Sequence, residues 1–336
     1  MPGSLRERVW ELLSGYQGSR VPQSFIHRAL GASKSRVSEI LAELERQGLI
    51  AREVVGRSKV VYVYPGFSER AREPGGRVLR LGIVYSSEYL FLGGFVKRLE
   101  SRGVRVEVVV FRDGLRATRA LAEGAVDMAL SPLPGQLYLY PAYRTFRVVP
   151  AGVRGGFRVM ASGRPGPVYS SMISTMDYAR GVAVSRGLLE AEGTAYFDDP
   201  SQVSSSPPRR GFVVAWHPVY LELAGRGFKP VLGPDDLGVE FCCTLGVSNS
   251  LGGRLASAAA RAYREAVEEY GRRPDKWLEY YSALTGIELG ALKDAAGEYR
   301  PAELDEKAVA GVARAVTPSI PAPAAHEGAL AREEQA

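Results

Sequence analysis

The chain has 336 residues, a formal net charge of +6, 46% apolar and 24% charged residues. This is ordinary composition for a globular protein of about two domains, and no apolar run approaches the ~18 residues of a membrane span. Cys242 and Cys243 are the only cysteines and are adjacent, which excludes a disulfide framework. The opening "MPGSLRERVWELL" puts charges where a signal peptide needs its apolar core, so a cytoplasmic protein is expected. Asn249 is the sole asparagine, which fits a thermophile. A mildly basic balance permits an anionic partner without naming one.

In chain order, Leu5, Val9, Leu12 and Leu13 repeat at helical spacing from Ser4 to Ser14, and Gly15 and Gly18 end that helix. Val21-Pro22 opens a second helix that runs through Leu30 and closes at Gly31. A third begins at a Ser33 or Ser35 cap and runs to about Gln47, with Val37, Ile40, Leu41 and Leu44 as one apolar stripe and Gly48 as its stop. The stretch "LIAREVVGRSKVVYVYP" alternates around Gly56-Arg57-Ser58 and predicts a hairpin ended by Pro65.

Three helices and a hairpin, with "VPQSFIHRALGASKSRVSEILAELERQGLI" at their centre, resemble a MarR-like winged helix-turn-helix domain over roughly residues 4–66. The resemblance implies that the third helix enters the major groove of double-stranded DNA. Ser33, Lys34, Ser35, Arg36 and Ser38 would then be its DNA-binding face, with Arg57 and Lys59 at the wing tip. The plainer reading leaves Ser33 a helix cap and Lys34 and Arg36 a solvated face. A DNA-binding module of this size usually works as a homodimer on a two-fold site, and helix one with Trp10 is a candidate interface or core element.

Residues 68–77, "SERAREPGGR", read as a linker between a domain at 1–67 and a second at 78–315, and 316–336 read as a flexible tail. After the linker, "VLRLGIVYSS", "EYLFLGGFVKRLESRG", "VRVEVVVFR", "GLRATRALAEGAV" and "DMALSPL" alternate strand and helix, which predicts a parallel sheet. The order, followed by "VYSSMISTMDYARG", "GFVVAWHPVYLELAGRGFKPVL" and "CCTLGVSNSLG", resembles the type 2 periplasmic-binding-protein fold, including LysR effector and NMT1-like domains. The fold class expected is α/β: an N-terminal winged helix-turn-helix plus this two-lobed domain. Lobe one would take about 78–162 and 245–315, and lobe two about 163–240. Helical patterns run from Leu251 to Tyr270, Pro274 to Thr285, Glu288 to Gly297 and Glu303 to Ala315.

Open α/β sheets bind ligands at the carboxyl ends of their strands. The ligand-binding candidates are therefore Tyr85, Ser86, Ser87 and Glu88 after the first strand, and Ser131 and Pro132 after the third. Tyr169, Ser170, Ser171, Ser174 and Thr175 come from the serine-rich loop, and Trp216 and His217 from the "FVVAW" strand. Hydroxyls and helix starts suit a carboxylate, sulfonate or phosphate, and the aromatic rings suit an apolar body. Each serine taken singly is as well read as a helix cap.

No phosphate loop, HExxH or spaced CxxC occurs, and His27, His217 and His326 are far apart. No metal, cofactor or catalytic residue is expected, and Cys242 and Cys243 read as buried structural thiols, with a soft-metal or redox role as the second reading. The sequence reading is a ligand-responsive DNA-binding transcriptional regulator, a homodimer with a small-molecule effector and no membrane contact. The alternative is a biosynthetic enzyme or small-molecule-binding protein on the same two-lobed fold.

Overall fold

The computed structural model describes residues 4–17, 19–46, 49–55, 58–63 and 78–316. Gly18, Gly48, the hairpin tip at Arg57, the linker at 68–77 and the tail from 317 lie outside the described residues.

The N-terminal part contains α1 (Leu5–Ser14), β1 (Arg20–Pro22), α2 (Gln23–Leu30), α3 (Lys34–Arg46), β2 (Ile50–Val55) and β3 (Ser58–Val63). Helix α1 starts on a reciprocal cap: Ser4 Oγ accepts from the Glu7 N–H at 3.3 Å, and Glu7 Oε2 accepts from the Ser4 N–H at 2.6 Å. Helix α2 stops where Gly31 takes a left-handed φ of 59°. The strands form an antiparallel sheet in the order β1-β3-β2. Strand β1 escaped the sequence reading because three residues are too few for an alternation to register. Val9, Leu13, Ile26, Val37, Leu41 and Leu44 form the core of this part, with Trp10 packed at its edge.

These elements do not stand apart as a separate winged helix-turn-helix domain, and that expectation is corrected. They are docked on the chain beyond residue 78: the Tyr62 hydroxyl donates to the Glu123 carbonyl at 3.1 Å, and Arg20 Nη2 to the Tyr143 carbonyl at 3.4 Å. Helix α3 and strand β2 lie against the short 3-10 turn Asn249–Leu251. Two residues of the expected DNA face have local partners. Ser33 Oγ accepts from the Arg36 N–H at 3.3 Å, and Arg36 pairs with Glu39 at 2.9 Å. In the sequence of α3, Lys34, Arg36 and Arg46 are matched by Glu39, Glu43 and Glu45. By sequence the helix carries no net charge, and Glu45 pairs with Arg52 of β2 at 2.7 Å. Lys34, Ser35 and Lys59 are exposed and Ser38 is half-buried.

From residue 78 the order is β4 (Val78–Val84), α4 (Leu92–Glu100), β5 (Arg105–Phe111), α5 (Gly114–Ala122), β6 (Met128–Pro132), α6 (Leu133–Tyr143) and β7 (Phe146–Gly155). Then come β8 (Phe157–Ala161), β9 (Val168–Ser171), α7 (Thr175–Ser185), β10 (Thr194–Phe197), α8 (Ser201–Ser204), β11 (Phe212–Trp216), α9 (Val219–Gly225), β12 (Lys229–Leu232) and α10 (Pro234–Leu237). The chain ends its described part with β13 (Cys243–Ser248), α11 (Gly253–Arg272), α12 (Leu278–Thr285), α13 (Leu289–Ala295), β14 (Tyr299–Glu303) and α14 (Glu306–Val316).

Two sheets result. The first lobe holds six strands in the order β14-β7-β13-β6-β4-β5, and the second holds five in the order β10-β9-β11-β8-β12. Neither is wholly parallel, as the alternation suggested. Strands β5, β4 and β6 run parallel, but β13, β7 and β14 are antiparallel partners, because β13 returns from the second lobe and reverses direction. The chain crosses between lobes at Gly155–Gly156 and returns through residues 238–242. The second sheet thus begins at Phe157, ahead of the boundary at 162 that the sequence suggested. Long helix α11 covers the first sheet with buried Ala259, Tyr263, Ala266 and Tyr270. One apolar core runs through both lobes.

Candidate functional site

Strand β4 is apolar because it is flanked on both sides, by β6 and β5, and its end must release the chain into solvent or a cleft. The residues after it, Ser86, Ser87 and Glu88, stay buried and meet the second lobe. The Ser87 N–H donates to the His217 carbonyl at 3.0 Å, and Ser87 Oγ lies 2.8 Å from His217 Nδ1. Trp216, at the end of β11, donates its indole N–H to the Tyr85 carbonyl at 2.8 Å. Its ring stacks on Phe197 at 6.2 Å. These bonds clasp the lobes across the cleft.

Below the clasp lies a cavity of about 30 Å³ lined by Ser86, Glu88, Ser171, Thr175, Cys242 and Cys243, with Val84, Tyr89, Gly114, Pro132, Ser174, Met176 and Trp216 completing its wall. It holds water-sized species only, since one water needs about 10–15 Å³. Two helices start at its wall. Asp113 caps α5, with Oδ1 accepting from the Leu115 and Arg116 N–H groups at 2.7 and 3.2 Å. Ser174 caps α7, with Oγ accepting from Met176 and Asp177 at 3.1 and 3.2 Å. Thr175 Oγ1 donates to the Cys242 carbonyl at 3.1 Å, tying the second lobe to the return crossing.

Glu88 is 2% exposed. Its Oε1 accepts from the Cys243 N–H at 2.7 Å and its Oε2 from the Cys242 thiol at 3.2 Å. Burial outweighs these bonds and pushes its carboxyl up to about 7. Burial likewise pushes the Cys243 thiol well above its ordinary range and lowers His217. The adjacent cysteines are free thiols.

The cavity gathers Ser86, Glu88, Pro132, Ser171, Ser174, Thr175 and Trp216 from the sequence candidates. The others lie elsewhere. Ser131 is fully buried with its hydroxyl unpartnered, and Ser170 donates to Asp177 at 3.5 Å. Tyr169 packs at the edge of the core, and Tyr85 stands beside the Arg112 guanidinium at 5.0 Å. Ser87 and His217 belong to the clasp. Sequence reasoning missed Val84, Tyr89, Gly114, Met176, Cys242 and Cys243. The signal for the cysteines was their place just before and at the start of the return strand, where Cys243 lies in register with Pro132.

Replacing Trp216 with Phe should loosen the clasp. It keeps the stacking partner but strands the Tyr85 carbonyl, at about 1–2 kcal/mol. Hydrogen exchange at residues 85–87 should quicken at least severalfold relative to the sheet interiors; unchanged protection would show that the bond does not hold the lobes.

Residues 3–64 match a family described as a domain of unknown function (DUF7343). No curated protein matches the sequence. Among solved structures, the chain is similar to the ligand-binding component of an ABC-type import system from Staphylococcus aureus, solved with zinc bound. The identity is 14%, the TM-score 0.61, and the match covers 72% of this chain and 91% of that one. It is also similar to the alkanesulfonate-binding protein SsuA from Xanthomonas axonopodis bound to MOPS, at 13% identity and TM-score 0.61, over 77% of this chain and 100% of that one. The periplasmic aliphatic sulphonate binding protein SsuA from Escherichia coli matches at 13% identity and TM-score 0.52, over 72% and 85%.

These likenesses establish the fold: one two-lobed α/β binding-protein fold over most of the chain. They correct the reading of a winged-helix regulator, because the similar structures are small-molecule binding proteins and not DNA-binding transcription factors. Double-stranded DNA as a partner goes with that reading. The cytoplasmic expectation is corrected too, since the structures matched are import-system and periplasmic proteins. All three are named for binding.

Proposed function

We propose that the chain is a solute-binding protein whose two lobes part to admit, and close upon, a small molecule bearing an acidic group. The observation that carries this reading is the cavity walled by both lobes, onto which the capped starts of α5 and α7 converge. Helix starts favour anionic groups, and the Ser86 hydroxyl lines the same cavity. Ligand sites usually enclose about 300–1,000 Å³. A cavity of about 30 Å³ is therefore the closed, collapsed state, and binding requires hinge opening about the two crossings.

Glu88 sets a condition on such a solute. An anion is welcome only while this neighbouring carboxyl keeps its proton, which it holds up to about pH 7. Affinity should be steady at pH 5–6 and fall by up to about tenfold per pH unit above 7. The test is calorimetric titration of chelator-treated protein with alkanesulfonates, short carboxylates and phosphate esters at pH 6 and pH 8. MOPS, bound by one similar protein, is the natural first member. Binding at pH 6 that weakens at pH 8 is expected. No heat from any of the three classes at millimolar concentration would overturn the reading.

A further inference from the structure

We propose that Glu88, Cys242 and Cys243 form a binding site for a thiophilic metal cation on the floor of the interlobe cavity. One carboxylate oxygen and the two Sγ atoms all lie within 4.8 Å of one another. The three residues are 2%, 5% and 5% exposed and all line the cavity. The inference goes beyond the acidic-solute reading and does not depend on it.

Three observations converge. First, Glu88 is a buried carboxylate with no ion pair among the described residues; its partners are one backbone N–H and one thiol. A carboxyl sealed in this way is either protonated or paired with a cation, and a bound metal would supply the cation that no described residue offers. Second, successive residues of a strand point to opposite faces, so two adjacent cysteines in mid-strand would diverge. Cys242 precedes β13, which starts at Cys243, and this break lets both thiols reach one cavity. Third, the space beside them has room for an ion and a water-sized ligand and little else.

The donor set decides the class of ion. Two sulfurs and one oxygen select Zn²⁺, Cd²⁺ or Cu⁺ over Mg²⁺ and Ca²⁺. Bonds of about 2.3 Å to sulfur and about 2.0–2.2 Å to oxygen place donors roughly 3.5 Å apart; Cys242 Sγ already lies 3.2 Å from Glu88 Oε2, and Cys243 Sγ, within 4.8 Å of both donors, has at most about 1 Å to draw in. Cys242 sits on the return crossing, and its carbonyl is held by Thr175 of the second lobe. Lobe closure and metal capture therefore act on the same segment. Three protein donors leave a fourth position facing the cavity, open to water or to the acidic group of a solute.

The experiment uses the full chain, chelator-treated and reduced, titrated with Co²⁺ and then Zn²⁺ in the absence of any organic solute. Expected are one equivalent of Co²⁺ bound, a near-ultraviolet thiolate-to-metal charge-transfer band, and its loss on adding Zn²⁺ but not Mg²⁺. Losing even an outer-shell partner costs metal sites 10–100-fold, so Glu88→Gln should weaken Zn²⁺ by at least about tenfold while keeping the band. The Cys242→Ser/Cys243→Ser double variant should abolish it. The wild-type spectrum tests the site even if a variant fails to fold. No band in the wild type, a band that survives in the folded double variant, or unchanged affinity in Glu88→Gln would each overturn the three-residue site. Failure here leaves the acidic-solute titrations untouched, because those use metal-free protein.

Discussion

Gly156→Ala should destabilise the protein by about 3 kcal/mol, from two additive costs. The residue has a φ of +66°, where a Cβ costs roughly 1–2 kcal/mol. A Cβ there would also fall inside the ring of Tyr299, which cannot withdraw. Tyr299 is 3% exposed, pairs through β14 with Gly155, and donates its hydroxyl to the Gly156 carbonyl at 3.3 Å. Overpacking of this kind costs about 1–3 kcal/mol. The Gly156 carbonyl also accepts the His217 N–H at 2.8 Å, so the strain is delivered to the hinge and the clasp together. Calorimetry should show the unfolding midpoint falling by roughly 4–6 °C. Gly31→Ala is the control: φ is +59° but nothing lies within 4 Å, so only the backbone cost of about 1 kcal/mol applies. Equal midpoints for the two variants would show that Tyr299 moves aside and that the crossing is not tightly packed.

The contrast between those glycines also marks what could be read from the sequence. Alternation of strand and helix after residue 78 was legible because each element must bury one face at its own period. The antiparallel half of the first sheet was not, because no local pattern says that β13 will return from the other lobe to lie between β6 and β7. The helices and hairpin before residue 64 were legible as elements. Their role was misread, because the exposed "SKSR" turn was weighed without Glu39, Glu43 and Glu45 on the same helix, and because docking through Tyr62 and Arg20 leaves no periodic trace.

The cavity followed the same logic at finer scale. Placing hydroxyls at strand ends found Ser86, Ser171 and Thr175. It missed by one residue where parity rules: Pro132 and Ser171 face the cavity, so their neighbours Ser131 and Ser170 face away. Cys242 and Cys243 were hidden by their apolar setting, since "FCCTLG" looks the same whether its thiols fill a core or line a hollow. Glu88 was found as a strand-end residue, but nothing local disclosed that it would be sealed in without a cation.

That sealing has the second large consequence. The Glu88 carboxyl rises from 4.5 to about 7 on folding, so the folded chain holds this proton more tightly than the unfolded chain does. The contribution to stability is complete below pH 4.5 and is lost as pH rises through about 7, a change of about 3 kcal/mol for about 2.5 pH units. Cys243, Tyr89 and Tyr281 around it are pushed upward by burial, out of this window. His217 is not: burial lowers it, so its contribution runs the other way and grows with rising pH up to its unfolded value of 6.5. The wild-type profile alone therefore mixes opposing slopes. The difference between wild type and Glu88→Gln isolates the carboxyl, since His217 and every surface acid cancel. In chelator, the stability advantage of wild type over the variant should shrink by about 3 kcal/mol between pH 4.5 and pH 8. Denaturant unfolding at half-unit pH steps measures it. Parallel profiles would mean that water or a neighbouring donor already solvates the carboxylate in the closed state, and that the cavity floor is wetter than its burial implies.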